Sequence, residues 1–179
     1  MSLIQRLYSN ILVAEDEYDI LVSYKEALEL TNHPVTTAQD GEECFKIYLK
    51  EFKKTSAKKG TTQASPFDVV LLDYNMPKKN GIEVAKEILA LDPHQRIIFA
   101  SGYIEGTIAD SIKKLGKIVE VIKKPFALSS LIDLIEDKEL YAELEKLNVS
   151  VRNLKGIDPT HEQVKSYLEI LKMLHQGRN

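Results

Sequence analysis

Asp73 ends an apolar run, Val69-Val70-Leu71-Leu72, and is followed by Tyr74-Asn75-Met76-Pro77 and by Gly81. The run is too short for a helix and starts β-branched, so it reads as a buried parallel strand with an acid at its carboxyl end. Ligands of open α/β sheets bind outside the carboxyl ends of the strands. A carboxylate there can ligate a metal or act as a nucleophile, or simply cap the turn that Pro77 and Gly81 begin. Three other apolar runs end in the same manner. Ile11–Ala14 is followed by Glu15 and Asp16, the run around Ile97–Ala100 by Ser101, and Ile118–Ile122 by Lys123 and Lys124.

A parallel sheet brings these ends to one edge, and three carboxylates gathered there repel one another strongly. A cation neutralises them, and hard oxygen ligands with open positions suit Mg²⁺. A lysine can pair with a carboxylate and with phosphate oxygens, and a hydroxyl can bond the same group. Nucleophile, metal and charge clamps are the parts phosphoryl transfer uses, because its catalysis is mostly positioning and charge neutralisation. Each residue also has a plainer reading. Glu15, Asp16 and Glu17 suit the first turn of a helix, where the helix dipole favours acids, and Lys123-Lys124 suits solvent. What joins them is that each follows a separate strand pattern.

Helical patterns lie between the strands. Asp19–Thr31 carries Ile20, Leu21, Tyr24 and Leu28 at helical spacing, and His33–Thr37 holds a weaker strand beginning near Pro34. Gly41–Phe52 places Cys44, Phe45, Tyr48 and Leu49 on one stripe. The polar stretch Lys53–Pro66 reads as a loop, or a frayed helix end and a loop, whose four lysines are better taken as solvated than as a docking patch. Further helices fit Ile82–Leu91, Gly106–Leu115 (stopped by Gly116) and a stripe from Leu128 through Ile135 that could continue to Leu147. Five strands alternating with five helices predict a doubly wound, five-stranded parallel sheet.

The chain has 179 residues, 44% hydrophobic and 28% charged, which suits one domain plus an extension. Its net charge of -3 argues against a dedicated nucleic-acid binder. Cys44 is the only cysteine, so no intrachain disulfide forms, and a reducing compartment is compatible. Met1–Arg6 lacks the apolar core of a signal peptide and no run is long enough to cross a bilayer, so a cytoplasmic location is expected. The four histidines show no ligand spacing, and Cys44 reads as core, having no histidine partner.

Over roughly residues 8–136 the sequence resembles the receiver domain of two-component response regulators. The resemblance rests on Glu15-Asp16 in Val13-Ala14-Glu15-Asp16-Glu17, on Asp73 in Leu72-Asp73-Tyr74-Asn75-Met76-Pro77 with Gly81, on Ser101 in Ala100-Ser101-Gly102, and on Lys124 in Lys123-Lys124-Pro125-Phe126. It implies a flavodoxin-like fold of receiver type. It implies that Asp73 accepts a phosphoryl group from a sensor histidine kinase or phosphotransfer protein, in a step the receiver itself helps catalyse. Glu15, Asp16, Asp73 and the backbone carbonyl of Asn75 would hold Mg²⁺. Ser101 would be the switch hydroxyl, Lys124 would pair with Asp73 and then with the phosphoryl group, and Pro125 would follow a cis peptide bond.

The sequence departs from the family at Val121, where an aromatic residue usually stands three positions before the lysine. Tyr103 either supplies that aromatic or only covers its loop. Ser101 replaces the commoner threonine, and Glu15 keeps a carboxylate where aspartate is usual. An aspartyl phosphatase of the haloacid-dehalogenase type would need a second Asp at the position of Asn75. A pseudo-receiver, the same fold used as a constitutive interaction module without phosphorylation, is the alternative function.

Residues 137–179 are expected to form a helical extension. Asp158-Pro159 suits a helix start, and Val164, Tyr167, Leu168 and Leu171 form a stripe that could pack on the receiver, form a homodimer or dock a partner. The extension is too short, and too balanced in charge, for the usual DNA-binding output module.

Overall fold

The computed structural model describes residues 8–58, 65–102 and 119–137, together with Ile112, Leu115, Ser166 and Ile170. The order of elements is β1 (Ile11–Ala14), α1 (Tyr18–Leu30), β2 (Val35–Ala38), α2 (Gly41–Lys58), β3 (Val69–Asp73), α3 (Gly81–Leu91), β4 (Ile97–Ser101), β5 (Glu120–Lys123) and α4 (Leu128–Glu136). The strands form one parallel sheet in the order β2-β1-β3-β4-β5. The expected doubly wound α/β fold is therefore present. The chain moves outward from β1 to β2, then returns past β1 and builds β3 to β5 on the other side. Right-handed crossovers then set α1 on one face of the sheet and α2 and α3 on the other.

β1, β3 and β4 are buried at every position, which is why they read as unbroken apolar runs rather than alternating ones. Leu12, Ala14, Val70, Leu72, Ile97 and Phe99 belong to the cluster that includes Cys44 and Tyr48 of α2 and Val84 and Ile88 of α3. The residues between them in each strand, such as Ile11, Val13 and Leu71, point to the opposite side. Burying one Leu, Ile or Phe contributes about 1.5–3 kcal/mol, so this two-sided core carries most of the fold's stability.

Three local features shape the ends of elements. After α1, Asn32 takes a left-handed φ of 64°; its N–H donates to the carbonyl of Glu29 and that of His33 to Leu28. This left-handed cap turns the chain into β2. Asn80 opens α3 with a capping box: its side chain accepts from the N–H of Glu83, and the Glu83 carboxylate accepts from the N–H of Asn80. At the sheet edge away from Asp73, Arg96 grips Glu120 through two bonds of 2.5 and 2.7 Å. That pair sits beside the β4–β5 register, in which Ile98 faces Glu120.

Some boundaries differ from expectation. Helix α2 continues through Lys58, so the first part of the Lys53–Pro66 stretch is helical. Thr55 and Ser56 donate back to the carbonyls of Glu51 and Phe52, and Lys54 pairs with Glu51. Lysines near a helix C-terminus also suit its dipole. β5 begins at Glu120, with Val119 outside the strand and Ile118 outside the described residues, and among the described residues α4 ends at Glu136 rather than continuing. The rest of the expected Gly106–Leu115 helix beyond Ile112 and Leu115, Tyr103 and the apolar stripe of the extension lie outside the described residues. The chain divides into two compact units, Met1–Ile132 and Asp133–Asn179, with the division inside α4.

The loops at the carboxyl edge are tightly built. A Cβ on Gly81 would lie 2.4 Å from the backbone oxygen of Asp73, and one on Gly41 would lie 2.1 Å from that of Lys79. Lys78 has a left-handed φ of 66°, and its ammonium meets Asp40 at 2.5 Å, joining the β2–α2 loop to the β3–α3 loop. Gly81→Ala should therefore cost about 1–3 kcal/mol, read as a shifted urea midpoint. The bond from Lys78 holds the Asp40 carboxyl below its ordinary value of 3.8. A lowered carboxyl contributes stability above that value and loses it as pH falls through the folded one. The stability gap between wild type and Lys78→Met should accordingly narrow in denaturation series taken below pH 3.8.

Candidate functional site

Glu15, Asp73 and Ser101 stand at the carboxyl ends of β1, β3 and β4, and Lys124 directly follows β5. Since β1 and β3 are neighbours and Asp73 lies opposite Ala100, the sheet itself gathers them. The Lys124 Nζ donates to Glu15 Oε2 at 2.6 Å and to Asp73 Oδ1 at 2.7 Å. Asp16 completes an acidic group: one carboxylate oxygen from each of Glu15, Asp16 and Asp73 lies within 4.8 Å of the others. Glu15 and Asp73 are 1% and 7% exposed, whereas Asp16 is open to solvent. The buried pair is thus set against an accessible acid, as an open cation site requires.

The backbone fixes each member. The Asn75 N–H donates to Asp73 Oδ2 at 2.9 Å, orienting the carboxylate whose other oxygen Lys124 holds. The Lys124 N–H donates to the Ser101 carbonyl at 2.8 Å, tying the strap after β5 to the end of β4. Ser101 is buried, and the Lys124–Pro125 bond is cis, as the resemblance implied. Gly81 allows the start of α3 to lie against the Asp73 backbone, and its N–H donates to the Tyr74 carbonyl at 3.0 Å.

The charges reinforce one another. Burial pushes the Glu15 carboxyl above its ordinary range; the bond from Lys124 works against this, and the charge of Asp73 adds to it. Burial also opposes the charge on Lys124, but the bonds to Asp73 and Glu15 outweigh it and raise the lysine further above its ordinary value. The lysine stays cationic, and it leaves a residual negative charge for a divalent ion to neutralise.

A model of the response regulator receiver domain matches residues 11–136. The chain belongs to the response regulator receiver family. The response regulator receiver protein CpdR of Brucella abortus (strain 2308) is 29% identical over 70% of this chain and 92% of its own. The sporulation initiation phosphotransferase F of Bacillus subtilis (strain 168) is 26% identical over 70% of this chain and 90% of its own. A CheY-like receiver domain from Methanospirillum hungatei JF-1 superposes with a TM-score of 0.62 at 26% identity, covering 78% of this chain and 98% of that one.

Glu15, Asp16, Asp73, Ser101 and Lys124 all fall at this receiver's carboxyl edge, and Asn75 enters through its N–H. Sequence reasoning missed that Lys124 holds Glu15 as well as Asp73. A strand-end acid and a strand-end lysine on the same edge were the available signal, but their pairing needed the strand order. Val121 is half-buried and packs against the core cluster.

Lys124→Met leaves two buried carboxylates side by side and should cost about 2–3 kcal/mol in urea unfolding at neutral pH. Adding Glu15→Gln to that variant removes one of the stranded charges and should recover part of the loss.

Proposed function

We propose that this receiver is a phosphorylatable signalling switch, with Asp73 as phosphoacceptor. The observation that carries this reading is the single ammonium of Lys124 held between Glu15 and Asp73 beside the exposed Asp16. An inert packing module has no need of a buried, partly compensated acidic group.

In the proposed step an oxygen of the Asp73 carboxylate attacks the phosphorus of a phosphohistidine on a sensor kinase or phosphotransfer protein. An O–P bond forms, the P–N bond breaks, and the imidazole leaves with the bonding pair. Glu15, Asp16, Asp73 and the Asn75 carbonyl would hold Mg²⁺, which supplies neutralisation of the clustered negative charge. Lys124 sheds its bond to Asp73 for one to the phosphoryl oxygens while Glu15 retains it, and the Ser101 hydroxyl bonds another phosphoryl oxygen. The relative named as a sporulation initiation phosphotransferase supports phosphoryl transfer as the chemistry.

The proposed receiver spans residues 8–136, and residues 137–179 act as its output by protein contact, a homodimer through this extension being one form. A cytoplasmic location fits a partner kinase; among the described residues no helix is long and apolar enough to cross a membrane. The packing of Val121 in the core favours a second reading, a pseudo-receiver, because the usual aromatic partner of the switch hydroxyl is missing at that position.

Incubation with acetyl phosphate and Mg²⁺, read by intact mass, separates the two. One added phosphoryl group, abolished by Asp73→Asn and by chelating the metal, is the expected result. An unmodified wild type overturns the proposal in favour of the pseudo-receiver.

A further inference from the structure

Tyr24 lies on the buried stripe of α1 and by its spacing is an ordinary core residue. Its surroundings are not ordinary. The ring stacks on Phe126, with centroids 5.5 Å apart and planes 21° from parallel. Phe126 belongs to the strap Lys124-Pro125-Phe126 that presents the Lys124 ammonium to the site. The same helix follows directly on Glu15 and Asp16 in the chain.

We infer that Tyr24 is a positioning residue for Lys124, acting through its stack on Phe126. A lysine side chain has four flexible methylenes, so its head stays between two carboxylates only if its backbone is held. That backbone is pinned on one side by the bond from the Lys124 N–H to the Ser101 carbonyl. Two residues further on, the Tyr24–Phe126 stack pins the other side. Helix α1 thereby fixes the acids at its start and the strap that carries their counter-charge in one frame. The phenol also stands within the field of the site: burial raises its pKa to about 12, Lys124 lowers it, and Glu15, Asp73 and Glu17 raise it.

The inference rests on the phosphoacceptor reading for its consequence, but its test does not. Amine-selective acetylation by limiting acetic anhydride, read lysine by lysine with mass spectrometry, reports how firmly each ammonium is held. Tyr24→Leu and Phe126→Leu should each raise labelling of Lys124 by about threefold to tenfold, the factor expected from losing an aromatic pair. Lys46, exposed on α2, should be unchanged and serves as the reagent-dose reference, while an unchanged far-UV circular dichroism spectrum and urea midpoint show that the fold persists. Tyr24→Phe keeps the stack and should restore the wild-type value. The same variants should slow modification of Asp73 by acetyl phosphate and Mg²⁺ by a similar factor, with Tyr24→Phe again at the wild-type rate. Lys124 labelling unchanged in both leucine variants, or raised equally in Tyr24→Phe, overturns the inference. A wild type that takes up no phosphoryl group refutes the phosphoacceptor reading alone, and the labelling pattern then decides the role of Tyr24.

Discussion

One ammonium holds this site together. Lys124 reaches Glu15 and Asp73 at nearly equal distances, and neither carboxylate has enough solvent to bear its charge alone. The pairing offsets a desolvation cost that neither acid could meet by itself. It is nevertheless incomplete, because among the described residues three acids face one lysine. The imbalance is a store of unneutralised charge at the mouth of the sheet, which the proposed phosphoryl transfer would use.

The sheet supplies the geometry. Adjacent parallel strands in register bring their last residues to one edge, so a residue's place in the chain becomes a place in the site. The opposite edge is closed by the Arg96–Glu120 pair and by Tyr48, whose hydroxyl meets Asp92 and Gln95. These side chains pair with one another, whereas the buried hydroxyl of Ser9, just before β1, has no hydrogen-bond partner among the described residues. The carboxyl edge differs in gathering three acids around Lys124.

Much of this was legible in the residues. Short apolar runs with a polar residue at each end gave the strands, because strands buried on both faces do not alternate. Asp73, Ser101 and Lys124 were readable for the same reason. The boundaries of α2 and β5 were not. Polarity after Phe52 suggested a loop, but hydroxyls bonding back to earlier carbonyls and a local ion pair carry the helix to Lys58. The start of β5 coincides with a pairing to Arg96 that is distant in sequence. Likewise, the grip of Lys124 on Glu15 spans the sheet from β1 to the end of β5, and no local pattern records it.

The buried Cys44 has a practical consequence. Its thiol is fully enclosed in the core, and burial pushes its pKa up to about 12, so almost no thiolate forms near neutrality. A maleimide or methanethiosulfonate reagent would therefore ignore the native residue. A second cysteine placed on the surface would carry a spin label or fluorophore alone, with no need to delete the original and disturb the packing around it. The fold thus arrives ready for site-directed spectroscopy.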